Sequence, residues 1–185
     1  MDNPAYDQLT FRQMSQYHVE LREALYMFLK EEYMAYGCTF SEISAANAAE
    51  ADLWKEKWSK PNRKASWSWG KLYREYRSRP AARRFDIAVH KSGQLQGLCY
   101  GMLDRNRFIL KLHAVERSPT SKSLAGGILK MVFAAADYYA MLNETHEIWV
   151  CDPVSPAHVR MYQSKGYEAV RNWRDDVTHL ARRIK

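Results

Sequence analysis

The stretch Leu110–Tyr167 constrains this chain most. It reads strand, polar turn, helix, strand, polar turn, helix, and it closes on Met161-Tyr162-Gln163-Ser164-Lys165-Gly166-Tyr167. A strand that runs into a Ser/Thr/Gly-rich loop and then opens a helix presents backbone N–H groups and a helix dipole to an anion. A tyrosine on the following helix, just ahead of a Lys-Gly-aromatic stop, supplies a proton donor. The pattern predicts a group-transfer enzyme that uses a phosphorylated carrier.

At 185 residues the chain is sized for one domain with a real core. The expected division is a helical region over 1–84 on the acceptor side and a sheet-bearing, cofactor-binding core over 85–185. No apolar run approaches a membrane span, and the first residues lack a signal-peptide layout, so the expected location is the cytoplasm. Cys38, Cys99 and Cys151 are odd in number and lack metal-ligand spacing, which predicts free thiols and no metal site.

The formal net charge of +7 is concentrated in a basic segment over 54–84, interleaved with Trp54, Trp58, Trp67, Trp69, Tyr73 and Tyr76. Two readings stay open for it. Basic and aromatic side chains together grip nucleic acid by charge and stacking, or they form amphipathic helices whose rings face a core.

Leu9–Met14 reads as a short first strand. Helices are predicted over Gln16–Tyr36 (stopped by Gly37), over Ser41–Trp58 and over Ser66–Arg77. From Phe85 the apolar period becomes two. Strands are predicted over Phe85–His90, Leu95–Leu103 and Phe108–Val115, joined by turns at Ser92-Gly93 and Asp104–Asn106. A long helix over Leu124–Leu142, a strand over Glu147–Cys151, a helix over Ser155–Ser164 and final strands over Tyr167–Val170 and Thr178–Ile184 complete the reading. On Phe108–Val115, strict alternation places Leu110, Leu112 and Ala114 in the core, with Ile109, Lys111, His113 and Val115 on the other face.

Over Phe85 to about Val170 this order of elements resembles the GNAT superfamily of N-acetyltransferases. The resemblance implies an α/β fold: a mixed, mostly antiparallel sheet flanked by helices, with an N-terminal helical region. It implies acetyl-coenzyme A (acetyl-CoA) as co-substrate, lying between two splayed strands. The loop Lys122-Ser123-Leu124-Ala125-Gly126-Gly127 matches the family's pyrophosphate cradle, with Lys in place of Arg/Gln and Ala125 in place of the first glycine. Tyr162 matches the tyrosine that protonates the departing thiolate. Backbone N–H groups near His113, Ala114 and Val115 would polarise the carbonyl, and Ser155 stands where the family usually has Asn on the pantetheine side. For the general base His113 and Glu116 compete, with Asp152 as a third candidate. The implied partners are an acyl-CoA and an amine acceptor: a protein lysine, an N-terminus or a small amine. The alternatives are a GNAT-fold enzyme acting on aminoacyl-tRNA or a DNA base, or a non-catalytic binding module of the same fold. A homodimer is compatible with the sequence.

Overall fold

The computed structural model describes residues 10–57, 65, 67–121, 124, 127–172, 174 and 176–184. The first described element is helix α1 (Phe11–Glu32), where a strand over Leu9–Met14 was expected. Thr10 and Gln13 form a capping box at its start, so the polar pair within Leu9–Met14 is a helix signal. Gly37 at φ 64° ends the following turn, and a strand that sequence periodicity missed, β1 (Cys38–Ser41), comes next. Ser44, rather than Ser41, caps helix α2 (Ala45–Asp52), and Asn47 completes the box. Short α3 (Trp54–Lys57) and α4 (Trp69–Arg77) follow.

The sheet is built from β2 (Arg84–Lys91), β3 (Gln94–Leu103), β4 (Ile109–Arg117), β5 (Glu147–Cys151), β6 (Glu168–Arg171) and β7 (Val177–Arg183), together with β1. Its order is β1-β2-β3-β4-β5-β7-β6. β4 and β5 pair in parallel, joined by helix α5 (Gly127–Leu142), and the other neighbours pair antiparallel. Helix α6 (Pro156–Gln163) leads into β6. The expected mixed, mostly antiparallel sheet with helices on both faces is therefore present. Among the described residues, no helix is long and apolar enough to cross a membrane, and no group of three His, Cys, Asp or Glu is placed to hold a metal.

Strand alternation divides the core in two. Phe85, Ile87 and Val89 of β2 pack with Leu21, Leu25 and Leu29 of α1 and with Ile128, Val132 and Ala136 of α5. Ala88 faces the opposite way, toward Ala48, Ala51, Trp54, Trp69 and Tyr76 of α2–α4. The N-terminal region is thus split between the two faces. Trp54, Trp69 and Tyr76 are buried in this second cluster and offer no ring to a nucleic-acid base, while Trp58 lies outside the described residues.

One buried residue, Asp86, ties the faces together, by its side chain on one face and its main-chain carbonyl toward α1. Asp86 Oδ1 accepts from Tyr76 Oη at 2.7 Å and Oδ2 from the Ile43 N–H at 2.6 Å. Tyr26 of α1 donates to the Asp86 carbonyl at 3.0 Å. Burial raises the carboxyl pKa, and the Ile43 N–H and Tyr76 hydroxyl oppose that by stabilising the anion. Asp86→Ala leaves two buried donors unpaired at ~1–3 kcal/mol each, so a loss of roughly 3 kcal/mol is expected in urea unfolding, as a lower midpoint at unchanged slope. A loss under about 0.5 kcal/mol, the range of an ordinary surface change, would remove Asp86 from this role.

Candidate active site

The strands β4 and β5 part. Their pairing runs from Ile109↔Glu147 to Leu112↔Val150 and ends there, although β4 continues to Arg117. A β-bulge in β4 lies at the parting point. Tyr100 of β3 pairs with Ala114, the next residue Gly101 pairs with Leu112, and His113 is the extra residue. A bulge turns two successive side chains toward one face and bends the strand. Ala114 consequently joins the cluster under α2–α4, while Leu110 and Leu112 stay with α1 and α5. Strict alternation, which put all three on one face, fails at this one inserted residue. Gly101 permits the close approach: a Cβ there would stand 2.7 Å from the Lys111 carbonyl oxygen.

A cavity of about 60 Å³ occupies the gap, and its walls include Trp67, His113, Val115, Asp152, His158 and Tyr162. Among the described residues, the edge of β4 that faces the gap has no strand partner past Leu112. Backbone polar groups of β4 that face this edge beyond Leu112 are left to a ligand or to solvent.

Tyr162 reaches the cavity from α6. Ser155 caps this helix and Pro156 takes its first turn, where a missing N–H costs nothing. Ser155 Oγ also lies 2.7 Å from His158 Nδ1. Gly166 at φ 83° ends the turn that follows α6. The Tyr162 ring packs edge-on against Phe133 at 5.7 Å and Tyr167 at 5.8 Å. Burial pushes its phenol far above the ordinary value of 10, so the hydroxyl carries its proton across the neutral range.

His113 is half-buried, with its ring stacked on Tyr100 at 5.5 Å. Desolvation, then the Lys111 charge, lower its pKa from 6.5, and Asp152 works the other way. At neutral pH the imidazole is uncharged and free to accept a proton. Asp152, at φ 47°, follows β5 and is exposed at the mouth of the cavity. Glu116 is placed elsewhere: it is buried beneath α4 and accepts from Trp69 Nε1 at 2.8 Å. The Cys151 thiol, beside Asp152, is pushed up to about 11 by burial and is no nucleophile.

Of the anion loop, Leu124 is buried in the core and Gly127 begins α5. Lys122, Ser123, Ala125 and Gly126 lie outside the described residues. The approach to the loop is held by Arg117, which donates to the Ser121 carbonyl at 2.8 Å. Ser121 Oγ is buried with no hydrogen-bond partner among the described residues. In the sequence Trp67 stands only as one ring of the basic aromatic segment, with no mark of a site residue. No periodic signal marks a tryptophan that walls a cavity from a loop between helices.

Comparison with solved structures settles the architecture. Ard1 from Thermoplasma volcanium superposes with TM-score 0.59 at 10% identity, over 80% of this chain and 99% of that one. A variant of the spermidine N-acetyltransferase SpeG from Vibrio cholerae gives 0.57 at 15% identity, over 80% and 94%. The structure of yncA from Salmonella typhimurium with its cofactor acetyl-CoA gives 0.56 at 15%, over 80% and 95%. This chain has the GNAT fold. No family model matches the sequence, and no curated protein matches it. At such low identity the likeness to GNAT structures is one of backbone path, and the chemistry has to be argued from this chain's own side chains.

Proposed function

We propose that the protein is an N-acetyltransferase that moves an acetyl group from acetyl-CoA to a primary amine. The observation that carries this reading is the parting of β4 from β5 beyond Leu112/Val150, with a Tyr162 hydroxyl that holds its proton at neutral pH and an uncharged histidine in the walls of the gap. Acetyl-CoA supplies the activated thioester. Ser121 Oγ, a buried polar atom with no partner among the described residues, and the backbone at the head of α5 fit an anionic ligand. Lys122–Gly127 would hold the pyrophosphate and Ser155 would flank the pantetheine arm.

His113 takes the proton that the amine nitrogen must lose as the C–N bond forms. The unpaired edge of β4 around Ala114 and Val115 would offer a backbone N–H to the oxygen that gains charge, already oriented before reaction. Tyr162 donates its proton to the sulfur as the C–S bond breaks. Glu116 acts at one remove: its bond to Trp69 fixes the start of α4 and the Trp67 wall before it.

A thermal-shift series of CoA, acetyl-CoA and longer acyl-CoA esters tests the reading, because a ligand of the native state must raise apparent stability. Acetyl-CoA is expected to raise the Tm. Gly127→Phe is expected to weaken that shift without unfolding the protein, since a Cβ at Gly127 meets nothing closer than Leu124 Cβ at 3.8 Å. No shift with any ester would leave a binding module or scaffold in place of the enzyme.

A further inference from the structure

Helices α2–α4 pack over the β1–β4 half of one sheet face, and the β5–β7–β6 half of that face opens to a groove of about 1080 Å³. Trp149, His179 and Ala181 line it, pointing away from Ile148, Val150 and Leu180 of the core. Lys111 shares this face, as the partner of Trp149 across the β4–β5 pair. Its Nζ sits 5.0 Å from the centroid of the Trp149 ring, and His179 stacks on Trp149 at 4.0 Å. Among the described residues, no carboxylate lies within ion-pairing distance of Lys111. Glu147 is the near candidate, and it is occupied: one oxygen accepts from Trp149 Nε1 at 2.7 Å and the other faces Arg183 at 3.8 Å.

Lys111 is therefore a cation held in place by an aromatic face, two residues before His113 on the same strand. That spacing is roughly 6–7 Å. On the far side of His113, Asp152 stands at the mouth of the cavity. The surface is dipolar: a carboxylate beside the reacting end, a lysine one short molecule away.

We infer that this surface selects the acceptor, and that the acceptor is a small primary amine carrying a carboxylate or phosphate, with the amine between His113 and Asp152 and the anionic group on Lys111 over Trp149. The inference rests on the acetyl-transfer reading above and specifies its acceptor. A linear polyamine is disfavoured by the same geometry, because its second ammonium would lie against Lys111. Repulsion of the wrong substrate is as effective a source of specificity as attraction of the right one.

The test uses the 185-residue chain and acetyl-CoA with acceptors of similar length: 5-aminopentanoate, 2-aminoethyl phosphate, pentylamine and 1,5-diaminopentane, read by mass spectrometry of the acetylated product and by thiol release. The two anionic amines are expected to have the highest kcat/KM, and the difference between them tells carboxylate from phosphate. Lys111→Glu is expected to lower kcat/KM for them by about tenfold to a hundredfold, the worth of one charge-assisted contact, through KM rather than kcat. The diamine should improve in the same variant, with Lys111→Gln between. A wild-type preference for the diamine or pentylamine, or a Lys111→Glu loss equal for all four acceptors, overturns the inference. So does failure to acetylate either anionic amine while acetyl-CoA still raises the Tm, and that outcome leaves the cofactor reading standing. Absence of the acetyl-CoA shift instead sinks the reading beneath it.

Discussion

Tyr162→Phe is expected to cut kcat by about a hundredfold to ten-thousandfold, the range of a lost general acid, and to leave the acetyl-CoA thermal shift nearly unchanged. The substitution removes one oxygen and keeps the ring, so the edge-on contacts with Phe133 and Tyr167 survive. Burial raises the phenol pKa well above the neutral range. That shift keeps the proton available and also makes the tyrosinate costly, so the hydroxyl must be re-protonated promptly after each turnover. A variant with the wild-type kcat would show that the hydroxyl is only a core group. A variant that loses the thermal shift as well would assign Tyr162 to cofactor binding. Single-turnover measurement separates these, since it reports chemistry apart from product release.

The second large effect is expected at His113. His113→Gln should lower kcat/KM by about a hundredfold or more, and should abolish an acid limb in its pH profile. The sign follows from the environment. Desolvation and Lys111 hold the imidazole pKa below 6.5, so the proton-accepting form dominates above that value and is lost as pH falls through the lowered pKa. Wild-type kcat/KM should therefore be flat through neutrality and fall below pH 6.5. Lys111→Gln removes the second of those causes and should move the limb upward. Retention of both activity and the limb in His113→Gln would transfer the role to Asp152, which shares the cavity. Glu116, the other candidate, predicts a different phenotype. Loss of its carboxylate frees the Trp69 indole N–H and should affect stability and acceptor KM more than the pH profile.

The helices and strands from Phe85 onward were legible because their residues repeat with clean periods and are punctuated by Ser92-Gly93, Asp104–Asn106 and Gly166. The N-terminal errors share a cause. Thr10-x-x-Gln13 is a capping box, a local side-chain device, and a short apolar stretch around it is ambiguous between strand and helix until the cap is recognised. β1 is four residues long, too short for an alternation to register, and it exists because β2 offers it an edge. The basic aromatic segment could not be resolved by composition, since a tryptophan that stacks on a base and one that fills a core are the same letter.

By itself the chain's order of residues determined the succession of elements after Phe85, and it offered Tyr162 and His113 as candidate titratable groups. These follow from local patterns: side-chain period, turn chemistry and the residues that start and stop helices. Tertiary structure alone decided which of those groups meet. The bulge at His113 sent Ala114 to the other face, the end of pairing at Leu112/Val150 opened the gap, and the Trp69 bond drew Glu116 under α4. It also left Lys111 on a bare half-sheet against Trp149. Each of these depends on contacts between residues far apart in the chain, where packing and register outweigh any preference a neighbouring residue can express.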